Sequence, residues 1–443
     1  MFRSESLSRR LNAASPAVFI AVAGVFSFVA YCCVYAFRKP FTAGTYEGLE
    51  LWGIQYKIVL VTAQVAGYAL SKFIGIRVIS GLASKRRVFV LLGMIGVAGG
   101  SLLGFALTPH PWNVVWMFVN GLPLGMAWGV IFSYLEGRRV TEALAAALCV
   151  NFIISSGFVK TTGKWLLNTQ GVSEQWMPFV AALLFLPALL LCIWVLEHLP
   201  PPSDADTAQR APRERMSPAE CSALFLRYAP GLVLLVSVYL LLTVVRDVRD
   251  NFAVEIWNEL GFKGQAAILT TAEAPIAVLS LLTVGALMFV KNNFRAFGLN
   301  HLLTAVGAVL LFGSTLLFQN GLLSPVSWMV LSGFGLFLPY ILFNGVLFDR
   351  LLASFRERGN VGFLMYTADS IGYLGSVLVL LWRNFGSANL SWLAFYTNLC
   401  YAGASLVLIL TAVSWWYFSN KYRVDSRRVR QDLSGEIKLV REG

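Results

Sequence analysis

Nine ionisable side chains carry most of the chemistry this sequence could perform. They are Arg38, Lys72, Lys160, Arg246, Arg249, Glu273 and Asp369, with Asp247 and Asp250 beside the second arginine pair. All stand within or at the ends of long apolar stretches. A charge at the centre of a bilayer costs at least about 2.5–3.5 kcal/mol on insertion scales, so such groups usually face a water-filled cavity and serve a function there. Cations outnumber carboxylates among the deep candidates, which favours an anionic ligand. One arginine from each half of the chain could grip a phosphate or carboxylate through charge-assisted, bidentate hydrogen bonds. Glu273 and Asp369 are the deep carboxylates able to relay a proton.

Each residue also has a plainer explanation. Arg38 and Lys39 stand just before Pro40, where a helix ends, and could reach out to lipid headgroups. Arg246 is in i,i+4 register with Asp250 and Arg249 lies two residues from Asp247, so the four could form a salt-bridge cluster at a helix end. Lys160 lies late enough in its stretch to snorkel outward. Lys72, about 15 residues from the outer start of its helix at about 1.5 Å per residue, is too deep for outer headgroups and could only snorkel inward. Glu273 precedes Pro275 and could be a neutral acid bonded to freed backbone. Asp369, on a glycine-rich face, could serve structural hydrogen bonding.

The elements that must position these groups are transmembrane helices. The 443 residues are 57% hydrophobic and 13% charged, whereas a soluble domain carries about 25% charged residues. A membrane-crossing helix needs about 20 mostly apolar residues, because lipid offers no partner to the backbone. Such stretches lie near 16–37, 54–78, 88–107, 112–134, 143–166, 177–199, 229–250, 266–290, 299–318, 325–348, 361–382 and 392–418. They are called spans one to twelve below. Span one is too long for a signal peptide and lacks a small-residue cleavage site before Arg38-Lys39-Pro40.

The net charge of +12 is distributed in alternate loops: Arg9 and Arg10, Lys85 to Arg87, Arg138 and Arg139, Arg210 to Arg227, Lys291 and Arg295, Arg350 to Arg358, and the tail from Lys421. That alternation places both termini in the cytoplasm of a cell (inner) membrane. Lipid is then the partner of the basic surface, and nucleic acid is not implicated. The expected organisation is a six-helix bundle over 1–199, a flexible cytoplasmic linker over 200–228, a second bundle over 229–418 and a charged, mobile tail over 419–443 that rests on anionic lipid. A monomer is expected. Cys32, Cys33, Cys149, Cys192, Cys221 and Cys400 have neither metal-ligand spacing nor a disulfide framework. No metal or cofactor is therefore expected. An enzyme is not expected either, because no nucleophile elbow, HExxH, P-loop or dinucleotide fingerprint occurs in a fitting context.

The two halves echo each other. Leu60 to Lys72 aligns with Leu269 to Leu281, matching Gln64 with Glu273 and Ser71 with Ser280, and Arg38 aligns with Arg246 in nearly the same register. Ser155-Ser156-Gly157-Phe158 resembles Ser370-Ile371-Gly372-Tyr373, and Glu136-Gly137-Arg138 corresponds to Asp349-Arg350. Parallel six-helix repeats joined by a cytoplasmic linker are the architecture of the major facilitator fold, whose substrate site lies near the midplane between halves. The fold class expected is thus an all-α membrane protein of twelve transmembrane helices in two pseudo-symmetric halves.

Four helices resemble the organophosphate:phosphate antiporter branch of the major facilitator superfamily, which includes glycerol-phosphate and hexose-phosphate transporters. The matching residues are Tyr31-x-x-x-Tyr35-x-x-Arg38-Lys39, Gly67-Tyr-x-x-Ser71-Lys72-Phe73 leading to Lys85, Val238-Tyr239 with Arg246 and Asp250, and Gly372-Tyr373-Leu374-Gly375-Ser376. The resemblance implies that Arg38 and Arg246 bind substrate phosphate and that Tyr31, Tyr35 and Lys72 line the site. Arg249, Tyr239 and Tyr373 complete the candidate set. The branch carries a substrate-binding histidine in helix five, but the histidines here, His110, His198 and His301, stand near predicted helix ends. That role is empty or falls to Lys160. Asp247, Arg249, Glu273 and Asp369 also depart from the pattern, which implies a divergent relative with a different ligand.

The function implied is secondary transport of a small organic anion, in particular a phosphorylated metabolite, by exchange or proton coupling. Two alternatives stay open: a non-transporting membrane sensor or scaffold with the same fold, and a proton-coupled transporter of a neutral sugar or drug.

Overall fold

Backbone groups that meet hydrocarbon must be bonded within their own segment, and among the described residues the apolar stretches fold as helices. A computed structural model describes residues 5–12, 15–80, 86–135, 144, 148–200, 218–287, 289–357, 361–386 and 390–442. Among these, eleven helices are long and apolar enough to cross a membrane. The chain is a multi-pass membrane protein. Span five, Asn151–Asn168, packs among them as the twelfth member but is more polar, because it carries Asn151, Ser155, Ser156, Lys160, Thr161 and Lys164. Its 18 residues still cover about 27 Å at 1.5 Å per residue, close to the thickness of the hydrocarbon core.

The other spans are Pro16–Ala36, Tyr56–Ser80, Arg87–Leu107, Val114–Phe132, Met177–Glu197, Ala229–Asn251, Asn293–Gln319 and Val361–Gly386, together with spans eight, ten and twelve described next. Span eight differs from the continuous helix expected over 266–290: it breaks into Ile268–Thr271 and Glu273–Leu287. Pro275 has no N–H to continue the ladder across the join. Span ten runs Pro325–Leu342, passes through a π-helical turn at Phe343–Leu347 and resumes at Phe348–Ser354. Span twelve continues as one helix from Trp392 to Glu442, so the segment from 419 onward is helical. The linker residues 201–217, Lys85, and Glu136 to Arg138 lie outside the described residues. Beyond them Pro218–Arg227 forms a short helix before span seven.

Twelve spans of alternating direction bring both chain ends to one side. That side is called the near face here, and the opposite side the far face. Val25, Leu184, Leu282, Leu378 and Ile409 point outward and are more than half exposed. An apolar rim of this extent is incompatible with water and suits lipid.

Within the first half, the end of span one is fixed by its neighbours. A helix terminus leaves its last carbonyls without internal partners, and Pro40 cannot donate to any of them. Asn120 Nδ2 donates to Phe37 O at 3.0 Å, and Gln64 Nε2 donates to Arg38 O at 2.9 Å and to Asn120 Oδ1 at 2.8 Å. Spans two and four approach closely enough to build this network because both carry glycine at the crossing. A Cβ on Gly121 would collide with the Gln64 carbonyl, and one on Gly67 with the Phe118 carbonyl. Such small-residue crossings are a usual means of helix association in membranes.

Gly121→Ala is therefore expected to destabilise the protein by roughly 1–3 kcal/mol, the usual cost of overpacking. The check is the unfolding temperature of the purified protein in detergent, and an unchanged value would mean that this crossing relaxes freely.

Candidate functional site

Span seven carries the site in layers. Tyr239, Arg246 and Asp250 follow one another along a helix that rises 1.5 Å per residue, so Arg246 lies about 10 Å beyond Tyr239 and Asp250 about 6 Å further toward the far face. Each layer meets the first half of the chain differently.

At the Tyr239 level a narrow cavity lies between the halves. Tyr31, Tyr68, Lys72, Trp128 and Phe152 line it from the first half, and Tyr340, Asn344, Met365, Tyr366, Asp369 and Tyr373 from the second. Lys72 Nζ pairs with Asp369 Oδ2 at 2.8 Å, both side chains less than a tenth exposed. The other Asp369 oxygen accepts from Tyr239 Oη at 2.7 Å. Asn344 Nδ2 donates to Tyr239 Oη at 3.1 Å and to Tyr340 O at 2.9 Å. The one neutral amide in the wall is thereby already engaged.

The next layer is the roof. The Arg38 guanidinium lies 3.7 Å from the centre of the Tyr68 ring and 5.8 Å from that of Tyr373. Arg246 lies 4.2 Å from the Tyr340 ring and 5.4 Å from that of Tyr373, and donates to Tyr373 Oη at 3.1 Å. Cations held over aromatic faces gain about 0.5–2 kcal/mol, more as water is excluded. The two arginines converge on one tyrosine from opposite halves. They differ in their counter-ions: Arg246 pairs with Asp247 at 2.6 Å, whereas among the described residues no carboxylate pairs with Arg38, whose Nε lacks any partner.

The third layer locks the halves together on the far side. Asp250 accepts from Lys39 at 2.5 Å and from Lys160 at 2.7 Å, and Ser156 bonds the same carboxylate. Lys39 also donates to Asn251 Oδ1 at 2.7 Å. Lys57 pairs with Glu255 at 2.6 Å and donates to Thr42 O at 2.7 Å. Beside this cluster spans five and eight touch backbone to backbone, because a Cβ on Gly157 would collide with the Leu269 carbonyl. Thr161 accompanies that seam, donating to Ala266 O at 3.0 Å and bonding Thr270 at 2.7 Å.

These contacts decide between the alternatives drawn from sequence. Arg38 and Lys39 are buried within the bundle and do not reach headgroups. The alternative i,i+4 pairing of Arg246 with Asp250 is not formed, since Asp250 is taken by two lysines of the other half. Arg249 turns into the second half, pairing with Glu273 at 2.6 Å and donating to Met329 O at 3.2 Å. Glu273 is thus an ionic partner of Arg249 instead of a backbone-bonded acid. Tyr31, Lys72, Asp369 and Tyr373 line the cavity, with Tyr239 bonded behind it. Arg38 and Arg246 form its roof. Tyr35 packs edge-on against Tyr31 at 5.3 Å. Lys160, Arg249 and Glu273 stand apart from the cavity. Sequence reasoning missed Tyr340, Tyr366, Trp128, Phe152 and the Lys57–Glu255 bridge. Only Tyr68 left a signal, one turn before Lys72 on the same helix face.

The overall arrangement is that of major facilitator transporters. The human organic anion transporter MFSD10 (TETRAN) superposes with a TM-score of 0.57 at 15% identity over 90% of this chain and 100% of its own. A mutant of the nucleoside transporter NupG gives 0.60 at 14% identity, covering 89% and 98%. A D-xylose-proton symporter gives 0.59 at 14% identity, covering 90% and 96%. No curated protein matches in sequence. By sequence the chain belongs to a family described as a family of unknown function, DUF5690, whose model matches residues 40–421.

Removing one partner of a buried ion pair costs about 3–5 kcal/mol, and Asp250→Asn withdraws the counter-ion of two lysines at once. The expected result is parting of the halves at the far face. Spin labels at Gln170 and Lys263 would report it as a shift toward longer distances. An unchanged distribution would mean that packing, not charge, closes this face.

Proposed function

We propose that this protein is a secondary active transporter that carries a small organic anion between the two faces by alternating access. The observation that carries this reading is Arg38, a buried arginine with no paired carboxylate among the described residues, at the roof of a cavity walled by both halves. Around the cavity, Arg38, Lys72 and Arg246 face Asp247 and Asp369, leaving one positive charge for a bound anion to neutralise. A phosphate or carboxylate suits arginine's planar fork, and a phosphorylated metabolite would exploit both arginines. An anion that ties the halves together lowers the energy of the occluded intermediate, so loaded carrier interconverts and empty carrier resists. The titles of the similar structures name an organic anion, a nucleoside and a sugar with protons, which favours transport over catalysis without selecting among these ligands.

The basic loops support a cytoplasmic near face in an inner membrane. Both halves of one chain line the cavity, which supports a monomeric carrier. Asp369 is the carboxylate best placed to couple protons, because it faces the cavity and holds Lys72. When protonated it would release that lysine to the substrate. Glu273 is less suited, since it neutralises Arg249 away from the cavity.

A ligand at one hundred times its Kd adds about 2.7 kcal/mol of stability. Inorganic phosphate, glycerol phosphate or a simple carboxylate is therefore expected to raise the unfolding temperature of the purified protein, and Arg38→Ala to erase that shift. If a neutral sugar stabilises and every anion is silent, the proposal is wrong. Stabilisation without flux in proteoliposomes would select the sensor. In the same vesicles Asp369→Asn is expected to abolish pH-driven accumulation while exchange continues, and retained dependence on the pH gradient would remove Asp369 from coupling.

A further inference from the structure

The far face carries one residue that the fold does not explain. Glu50–Leu51 and Ile54–Gln55 pair as a two-stranded antiparallel hairpin before span two, with Glu50 opposite Gln55 and Leu51 opposite Ile54. Trp52 and Gly53 form its turn, and both have positive φ, 57° and 71°. A two-residue turn of that kind favours Asn-Gly or Asp-Gly. Gly53 fits, but Trp52 does not, because a bulky side chain is strained in the left-handed region. Burial does not offset the strain. Trp52 is 85% exposed, and its indole makes no hydrogen bond or ring contact among the described residues. Strain that persists at such a position points to a task outside the packed chain.

The surroundings identify the partner. Tyr56, which follows the hairpin directly, bonds Asn113 and meets the His110 ring edge-on at 4.3 Å, in the loop joining spans three and four. Leu107 at the end of span three and Trp112 in that loop are both exposed. Trp165, Trp176 and Trp382 are exposed too, each at the far end of its span. Tryptophans gather at this level because the headgroup layer accepts both the apolar ring and the N–H. Charge narrows the choice further. Residues 47–55 carry Glu47 and Glu50 and no basic side chain, so attraction to anionic lipid plays no part.

We propose that Trp52 is a membrane anchor: the hairpin tip dips into the headgroup layer of the far leaflet, held by its indole and not by charge. The strained turn presents the ring clear of the chain and toward that layer. Its place in the sequence gives the anchor a use. Lys57, two residues beyond the hairpin, holds Glu255 of the opposite half at 2.6 Å and the Thr42 carbonyl at 2.7 Å. Tethering the hairpin to lipid steadies the first-half side of the far-face closure while the second half moves against it.

The test uses the full-length protein in nanodiscs of zwitterionic lipid. Subtracting the emission spectrum of Trp52→Phe from that of the native protein isolates the fluorescence of Trp52. That difference is expected to lose most of its intensity when the lipid chains carry bromine near the headgroups, and to ignore added salt. A difference that bromine leaves intact places the ring away from lipid and overturns the proposal. Quenching that appears only with anionic lipid and vanishes in salt overturns it as well, because charge would then be the attraction. Trp52→Asn removes the ring and suits the turn, so its unfolding temperature in detergent is expected not to fall. A drop of several degrees would mean that the ring packs against the chain, and the anchor would be wrong. In nanodiscs the same variant is expected to broaden the distances between labels at Gln170 and Lys263, and an unchanged distribution would overturn the steadying role.

Discussion

A cation buried in a lipid-embedded bundle is tolerable only beside something that replaces water, and the arrangement of those replacements organises this molecule. Lys39, Lys160 and Lys57 find carboxylates in the opposite half, as does Lys72. Such pairs give little net adhesion, because desolvation offsets most of the attraction. Their weight lies in what happens when they separate: each charge must then be met by water or by another ligand. The halves are coupled through this requirement together with the packing of span two on span eleven. Arg38 shows the complementary case, a cation set over the π faces of Tyr68 and Tyr373 with no paired carboxylate among the described residues.

The same requirement explains the order of layers along span seven. Carboxylates nearest the far face are shared with lysines and close the protein there. At the roof the balance tips, with a carboxylate for Arg246 and none for Arg38. In the cavity Asp369 returns to neutralise Lys72. Among the described residues, charge is therefore matched at the far face and left incomplete at the roof. Tyr373 joins roof and cavity, touching both arginines and presenting its ring to the space below.

The sequence revealed the fold because hydrophobic length and loop charge are local quantities. Span five was legible over 143–166 as an apolar stretch in spite of its polar residues. The break in span eight was not foreseen, although Pro275 was read beside Glu273, because a proline in a membrane helix signals a kink without locating it. The ionisable site residues were legible for the same reason as the helices: charge in an apolar stretch is conspicuous. Their partners were not. Asp250 was in plausible register with Arg246, and only the packing of the halves shows two lysines claiming it first. The aromatic wall was the least legible part. Tyr340, Trp128 and Phe152 stand among many aromatics that face lipid or core, and nothing in their spacing separates a ring that lines a cavity from one that fills it.

The glycine at position 157 has a consequence for how the halves can part. Where it meets the Leu269 carbonyl, the seam consists of bare main chain, so separation there uncovers little hydrocarbon and releases no interlocked rotamers. Friction across that contact is low. What holds this seam laterally is the polar contact beside it, Thr161 donating to Ala266 O and bonding Thr270.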